Sequence, residues 1–266
     1  MFKNSNEIDK SLPLALESGK IVLSKETISL PVSYRRLEEA RPYLKDEDAV
    51  FSSDYIYAMH RGVCFREDKD LFEKYGLRYD VTQILPGFLG NEFIKTIGHC
   101  HKDSSSEVYE VLSGEAIFLF QEVNFGKDVY LIEAEEGQKV VIPPGYGHIT
   151  VNPGDSPLIL ANIVFSRMEA DYDFFKNNRG AGYYIVKPGT GSREIKVNNR
   201  VSAVKNENYP DIGELKVFRP KEIKELGVSF SKPLYQSFTS NPESFDFVEN
   251  PGKYEGMLTP DNLYAK

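Results

Sequence analysis

The sequence predicts an all-β protein built around one antiparallel barrel or sandwich. Short runs of alternating or apolar residues fill the middle of the chain, and turn segments such as LSGE, EEGQ and PPGYG separate them at intervals typical of antiparallel strands. The predicted strands of this body cover residues 54–59, 79–85, 92–101, 107–112, 116–121, 129–134, 140–142 and 158–165. These strands are too many and too short for a helical or α/β protein.

Shorter elements are expected on both sides of this body. A strand is predicted over 20–23 and a helix over 33–40, ended by Pro42. After the body, we expect a short helix over 171–177 and strands over 182–186 and 195–197. The chain therefore divides into an N-terminal flank (1–50), a barrel (51–200) and a C-terminal extension of unknown role (201–266).

The C-terminal extension is rich in Pro, Asn and Ser but carries more aromatic residues than a disordered tail should. We expect an extended arm whose aromatic side chains pack on something: a partner subunit, the barrel mouth or the arm's own subunit. These side chains are Tyr235, Phe238, Phe245, Phe247 and Tyr254.

Charge and cysteine content exclude several classes of protein. The 266 residues carry 32 Lys and Arg against 40 Asp and Glu, a net charge of -8, which disfavours nucleic acid as a partner. Cys64 and Cys100 are too few for a disulfide framework and lack CxxC spacing, so a cytoplasmic location is expected. No apolar run approaches the roughly 18 residues of a membrane span, and we expect neither a signal peptide nor a membrane.

Three of the four histidines fall in one window with a fourth polar group between them. His99 and His101 are two residues apart in a predicted strand, so their imidazoles point to the same face. Glu107 opens the next strand, and His148 follows the turn PPGYG. Any one of these residues alone is more often an ordinary hydrogen-bonded side chain, but three imidazoles with a carboxylate favour a divalent metal site. His60 lies outside this pattern and is expected to be structural.

Two segments resemble the motifs of the cupin superfamily. GHCHKDSSSEVYEVLSG (98–114) is similar to the first cupin motif, with a slightly longer gap between His101 and Glu107, and GQKVVIPPGYGHITVN (137–152) is similar to the second. Gly114, Gly137 and Gly145 stand where barrel corners need a free backbone, and Pro143 ends a strand. The resemblance implies a double-stranded β-helix, or jelly-roll, barrel.

A narrower resemblance is to the cupin-type glucose-6-phosphate isomerases. It is carried by SYRRLEEARPYLKDEDA (33–49) and VTQILPGFLGNEFIKTIGHCH (81–101) and covers roughly residues 20 to 200. It implies a homodimer that acts on a sugar phosphate and holds one divalent metal ion per subunit, Fe(II) first, with Mn, Zn, Ni or Co as alternatives. The implied metal ligands are His99, His101, Glu107 and His148.

The same resemblance assigns the substrate phosphate to Thr82, Thr96 and Gly98, with Tyr109 nearby. Strict alternation places Thr96 and Gly98 on the strand face opposite His99. Phosphate binding by Thr96 and Gly98 together with metal binding by His99 therefore requires a bulge or a strand end at Gly98. The sequence also departs from the family, because Val164 and Ala170 replace a tyrosine and a histidine. The family's aromatic residue before the last metal histidine falls on Gly145 or Tyr146, depending on the alignment. These departures bear on phosphate recognition and leave the metal ligands untouched.

The expected reaction interconverts glucose 6-phosphate and fructose 6-phosphate. Glu107 either stays a metal ligand or acts as general base, and Tyr109, on the same face, either positions or protonates a substrate oxygen or merely lines the barrel. A direct hydride shift would need no base. The alternatives are another cupin isomerase or epimerase acting on free lyxose or mannose, an Fe(II) dioxygenase, and a non-catalytic sugar-binding cupin.

Overall fold

Two facing β-sheets form the body of the protein. The computed structural model describes residues 11–17, 19–123, 127–189 and 193–266. The first strands are β1 Leu14–Glu17, β2 Lys20–Leu23, β3 Thr27–Ile28, β4 Ser33–Arg35, β5 Tyr57–His60 and β6 Cys64–Phe65. The strands of the body are β7 Leu77–Ile84, β8 Phe88–Leu89, β9 Glu92–Phe93, β10 Cys100–His101, β11 Glu107–Ser113, β12 Glu115–Glu122, β13 Val129–Glu135, β14 Lys139–Ile142, β15 Tyr146–Val151, β16 Leu158–Phe165, β17 Ala170–Asp171 and β18 Tyr183–Val186. The last strands are β19 Glu194–Lys196, β20 Ser202–Lys205, β21 Leu215–Pro220 and β22 Tyr264–Ala265.

The helices are short. They are α1 Leu37–Ala40, α2 Lys69–Lys74, α3 Asp173–Asn177, α4 Leu234–Ser240, α5 Asp246–Glu249 and α6 Pro260–Leu263. Single 3₁₀ turns occupy Arg41–Tyr43, Arg66–Asp68, Lys224–Leu226, Pro242–Phe245 and Pro251–Tyr254. Within the described ranges, no helix has the length and apolar character that crossing a lipid bilayer requires.

The strand order is that of a jelly roll. The first sheet runs β14-β11-β16-β7-β5-β4 and the second runs β15-β12-β13-β21-β22. The segment 95–101 adds to the free edge of β15 through the bridges Lys95 to Val151 and His99 to His148. If β7 is counted as the first barrel strand and segment 95–101 as the second, the two sheets read 6-3-8-1 and 2-7-4-5. This eight-stranded order, with the Tyr109 and Phe118 rings 5.3 Å apart between the sheets, confirms the predicted jelly-roll barrel.

The structure corrects two element predictions near the site. The helix predicted over 33–40 is wrong in its first half, because Ser33–Arg35 pairs with β5 and only Leu37–Ala40 is helical. The single strand predicted over 92–101 is also wrong, since only its two ends, β9 and β10, are regular strands. Between them Gly98 adopts φ +76°, which turns the backbone out of the strand. The other predicted barrel strands are confirmed, with small shifts at their ends.

The C-terminal extension packs on its own subunit and is not an extended arm. Strand β20 pairs with β18 and β21 pairs in parallel with β13, while α4 and α5 contact β16. Tyr235 accepts a hydrogen bond from the backbone N–H of Phe65 (2.9 Å) and donates one to Asp68 (2.6 Å). Its ring also contacts that of Tyr79, 5.1 Å away, on the outer face of β7. Of the predicted aromatic residues, four are buried and Tyr254 is half-buried.

Replacing Phe238 tests this packing. The Phe238 side chain is fully buried, and its ring lies 4.5 Å from that of Phe72. We expect Phe238→Ala to lower the free energy of unfolding by about 3–5 kcal/mol, because the cavity it leaves cannot collapse completely. Chemical denaturation measures the loss, with the exposed Ser240→Ala at the end of α4 as the control. Equal stabilities of the two variants would show that the extension is not part of the core.

Candidate metal centre

Four side chains from three neighbouring segments meet inside the barrel. His99 lies in the segment bridged to His148 on β15, His101 belongs to β10, and Glu107 is the first residue of β11. One potential ligand atom from each of them lies within 4.8 Å of the others. The rings of His99 and His101 are stacked with centroids 5.2 Å apart, so the shared face expected from their spacing is confirmed. His60 lies outside this cluster, as predicted.

Glu107 stands at the centre of the cluster. Its Oε2 atom lies 3.2 Å from Nε2 of His101 and 3.2 Å from Nε2 of His148. Its other oxygen, Oε1, accepts a hydrogen bond of 2.6 Å from the side-chain amide of Asn162. Nδ1 of His101 lies 2.9 Å from the carbonyl oxygen of Ser105, which leaves Nε2 as the nitrogen that faces the cluster.

The atoms that face the centre fit a bound cation. Nε2 of His101 and Oε2 of Glu107 are buried and, within the described residues, have no hydrogen-bond partner, although they are close together. Buried polar atoms are seldom left unsatisfied, and two that point at a common space suggest a ligand there. Three imidazole nitrogens and one carboxylate oxygen suit a divalent first-row metal and leave coordination positions open. These residues could therefore hold the ion that the spacing predicts.

The protonation states of Glu107 and His99 favour metal binding, whereas that of His101 opposes it. Burial lowers the pKa of His99 well below its usual value, and the neighbouring His148 and His101 lower it further. Burial alone would raise the pKa of Glu107, but the adjacent imidazoles hold it far below the ordinary range. Burial also lowers the pKa of His101, yet the Glu107 carboxylate raises it by more, so the net shift is upward. The site thus combines an anionic carboxylate with a neutral His99.

A cavity of about 280 Å³ opens beside the cluster. All of the predicted phosphate and acid–base positions line it: Thr82, Thr96, Gly98, Glu107 and Tyr109. The two positions that depart from the family, Val164 and Ala170, also line it. Sequence reasoning missed further polar and charged lining residues, namely Arg35, Tyr57, Arg61, Arg78, Asp80, Asn162 and Tyr172.

Cross-strand register explains why these residues share one face. On the inner face of the first sheet, Asn162 of β16 lies opposite Asp80 of β7 on one side and Tyr109 of β11 on the other. The next row along the same face holds Arg78, Val164 and Glu107. Such rows depend on which strands are neighbours and in what register, and the predicted strands alone do not specify this.

The break at Gly98 lets both sides of its segment face the cavity. Alternation required a strand end or bulge there, and the left-handed backbone at Gly98 provides it. A Cβ atom at this position would clash with the Ile149 side chain and lie 2.8 Å from the carbonyl oxygen of His148, so only glycine fits. Thr96 accepts a hydrogen bond of 3.0 Å from the backbone N–H of Thr150, which leaves its hydroxyl proton free to donate.

The upward shift at His101 gives a testable pH dependence of metal binding. In the metal-free protein, the Glu107 carboxylate stabilises the protonated imidazole of His101, and an incoming ion must displace that proton. We expect the affinity for Mn(II) to fall as the pH drops through this raised pKa, with protons released on binding. Calorimetry between about pH 5.5 and 8.5, in buffers of different ionisation enthalpy, measures both effects. An affinity that stays constant over this range would contradict the expectation.

Known proteins are similar to the part of the chain that contains this site. A family model described as glucose-6-phosphate isomerase (GPI) matches residues 35–202. The glucose-6-phosphate isomerase of Pyrococcus horikoshii is 30% identical over 203 residues, which is 73% of this chain and 93% of that protein. That of Thermococcus litoralis is 32% identical over 169 residues, which is 60% of this chain and 80% of that protein.

Solved structures overlap less of the chain. An oxalate oxidase in complex with glycolate covers 44% of this chain and 54% of its own, with 17% identity and a TM-score of 0.33. The assignment therefore rests on the family model and the sequence relatives, and residues 35–202, which the model matches, contain all four residues of the cluster. The chain belongs to the glucose-6-phosphate isomerase family.

Proposed function

We propose that this protein is a metal-dependent aldose–ketose isomerase that interconverts glucose 6-phosphate and fructose 6-phosphate, a step of glycolysis and gluconeogenesis. The observation that carries the proposal is the cluster of His99, His101, Glu107 and His148 at the wall of a polar cavity, in a chain of this family. A cavity of this size accommodates one sugar phosphate. The chemistry exchanges a carbonyl and a hydroxyl between C1 and C2 while one hydrogen moves between the two carbons.

The four clustered residues would hold one divalent ion per subunit, which as a Lewis acid supplies stabilisation for the negative charge that develops on the two substrate oxygens. This donor set suits Fe(II), Mn, Zn, Ni and Co alike. The resemblance to the cupin-type isomerases places Fe(II) first. Asn162 holds one carboxylate oxygen of Glu107 and thereby keeps the other directed at the histidines.

Tyr109 is the candidate proton donor. Its hydroxyl lies 3.2 Å from Nε2 of His148, next to the position that the ion would occupy. Burial, and then the charge of Glu107, raise the pKa of Tyr109 well above its usual value, so the phenol stays protonated. A protonated phenol can donate a hydrogen bond to a substrate oxygen as charge builds on it.

We assign the substrate phosphate to hydroxyl and backbone groups that line the same cavity. Thr82 and Thr96 present hydroxyl groups there, and Gly98 presents backbone that no side chain covers. Hydroxyl and backbone N–H groups bind phosphate oxygens without adding charge or bulk.

A second candidate function is isomerisation or epimerisation of a free sugar. Val164 and Ala170 favour it, because apolar side chains stand at two positions on the cavity wall where the family has hydrogen-bonding groups. Comparing the rates with glucose 6-phosphate, mannose and lyxose separates the two functions. A faster reaction of the free sugars would replace the first proposal with the second.

We further propose that the protein works as a homodimer in the cytoplasm. Strand β4 is an edge of the first sheet, and Leu30, Tyr34 and Val50 near it expose apolar side chains that a second subunit could cover. Cys64 and Cys100 are both free and buried, as expected in a reducing compartment. Sedimentation equilibrium tests the dimer, and a monomer at micromolar concentration would contradict it.

Removing the metal or one of its ligands tests the isomerase function. We expect chelation to abolish formation of fructose 6-phosphate from glucose 6-phosphate, and added Fe(II) or Mn(II) to restore it. His148→Ala should lower kcat/KM by at least about a hundredfold, because it removes a ligand of the ion. His60→Gln is the matched control, since this histidine lies outside the cluster, and it should keep the wild-type rate. Full activity of the stripped protein or of His148→Ala would exclude the metal mechanism.

The route of the hydrogen can be followed with an isotope. Each carboxylate on the cavity wall is already engaged: Glu107 with the imidazoles and Asn162, and Asp80 with Arg78 (2.8 Å). Without a free base, we expect a direct hydride shift, so deuterium at C2 of glucose 6-phosphate should be retained at C1 of the product. Mass spectrometry of fructose 6-phosphate formed in ordinary water measures this. Loss of the deuterium to solvent would indicate proton abstraction and an enediol path.

A further inference from the structure

We propose that Arg61 is the cation that selects a dianionic phosphate ester in this cavity. Arg61 follows Tyr57 and Met59 at alternate positions from β5, and all three side chains line the cavity. The proposal deepens the isomerase function and rests on it, since it concerns the substrate of the same site.

The charges around the cavity single out this residue. Three arginines line it, and two of them are already paired. Arg35 binds Glu39 at 2.8 Å, and Arg78 binds Asp80 at 2.8 Å. The Arg61 guanidinium has no carboxylate within 4.0 Å in the described part of the chain, and its only hydrogen bond there goes from Nη2 to the sulfur of Met59 at 3.5 Å.

The surroundings of Arg61 leave its charge available to a ligand. Its backbone carbonyl accepts a hydrogen bond from the N–H of Leu30 (2.8 Å), which anchors the base of the side chain, and the residue as a whole is half-buried. Arg61 lines the same cavity as His99, Glu107 and His148, so its charge lies near the candidate metal cluster. A thioether is a weak acceptor that an anionic ligand readily displaces.

A phosphate ester is the ligand that this arrangement fits. The guanidinium is a planar donor that matches two oxygens of a phosphate, and its charge complements the dianion at neutral pH. Met59, the neighbour of Arg61 on the same face, pairs in register with Thr82, whose hydroxyl also faces the cavity. A free sugar offers no charge to Arg61, so an unpaired cation here favours the phosphorylated substrate over the free one. In a chain of net charge -8, a local positive charge also attracts anions to this site in particular.

Two measurements on the metal-loaded protein test the role. The first is the KM and kcat for glucose 6-phosphate in Arg61→Met, which keeps the length of the side chain and removes its charge. The second is the Kd of sorbitol 6-phosphate, a phosphate ester without a carbonyl, compared with that of sorbitol. We expect Kd and KM to rise about 10- to 100-fold while kcat changes little, because a charge-assisted hydrogen bond to the phosphate is lost in ground state and transition state alike.

Matched variants separate this role from a structural one. Arg61→Lys retains the charge without the planar donor and should lose less affinity than Arg61→Met. Arg193→Met removes an exposed arginine far from the cavity and should change neither constant. Metal content is measured in each variant and should stay at the wild-type level. If Arg61→Met does not fold, Arg61→Gln gives the same comparison with a polar side chain.

The outcomes distinguish this proposal from the isomerase function. Wild-type KM and Kd in Arg61→Met, with an active wild-type protein, would overturn the role of Arg61 and leave the isomerase function standing. A wild-type protein that does not isomerise glucose 6-phosphate but binds sorbitol 6-phosphate through Arg61 would support the role of Arg61 and overturn the isomerase function.

Discussion

The contact of the Glu107 carboxylate with two imidazoles from the opposite side of the barrel organises the rest of the site. Glu107 belongs to the first sheet, whereas His148 belongs to the second and His101 to the segment beside it. A buried carboxylate is costly unless charge or hydrogen bonds compensate it, so these partners must stay in place for the barrel to close around it. Asn162 completes the arrangement from a neighbouring strand of the first sheet. The positions of the candidate metal ligands therefore depend on how the two sheets face each other.

The cavity beside this centre brings three arginines together in an acidic protein. Arginines from β4, from β7 and from the end of β5 converge on it, and each is placed by a different strand of the first sheet. Asp80 and Glu39 neutralise two of these charges. Arg61, the hydroxyls of Thr82 and Thr96, and the candidate metal ligands border one space, which suits a substrate with an anionic end and a reactive oxygen pair.

The C-terminal extension covers the outer face of the first sheet, whose inner face carries the polar side chains of the site. Because β11 alternates, Tyr109 faces the cavity while Glu110 faces outward, where Lys139 (3.0 Å) and the backbone N–H of Leu234 (2.7 Å) satisfy it under the extension. The aromatic side chains of α4 and its neighbours then bury the apolar outer face. The hydrophobic core that stabilises this sheet thus lies largely behind the site, and the polar cavity can remain open.

The barrel strands and the clustering of the histidines could be predicted from the sequence, because alternation, turn residues and spacing are local signals. The jelly-roll class and the four candidate metal ligands were implied by the resemblance to the cupins. His99, His101, Glu107 and His148 are close together in the structure as their spacing predicts. The roles of Arg35, Arg61, Arg78 and Asn162 could not be predicted, because they depend on strand register between segments far apart in the chain. Which of the three expected partners the extension packs against could not be predicted for a related reason: its composition resembles a loop, and only the outer face of β16 and β7 shows what its aromatic residues cover. Local sequence patterns specify which face of a strand a side chain occupies. The pairing of strands that are distant in the chain decides which other side chains it contacts on that face.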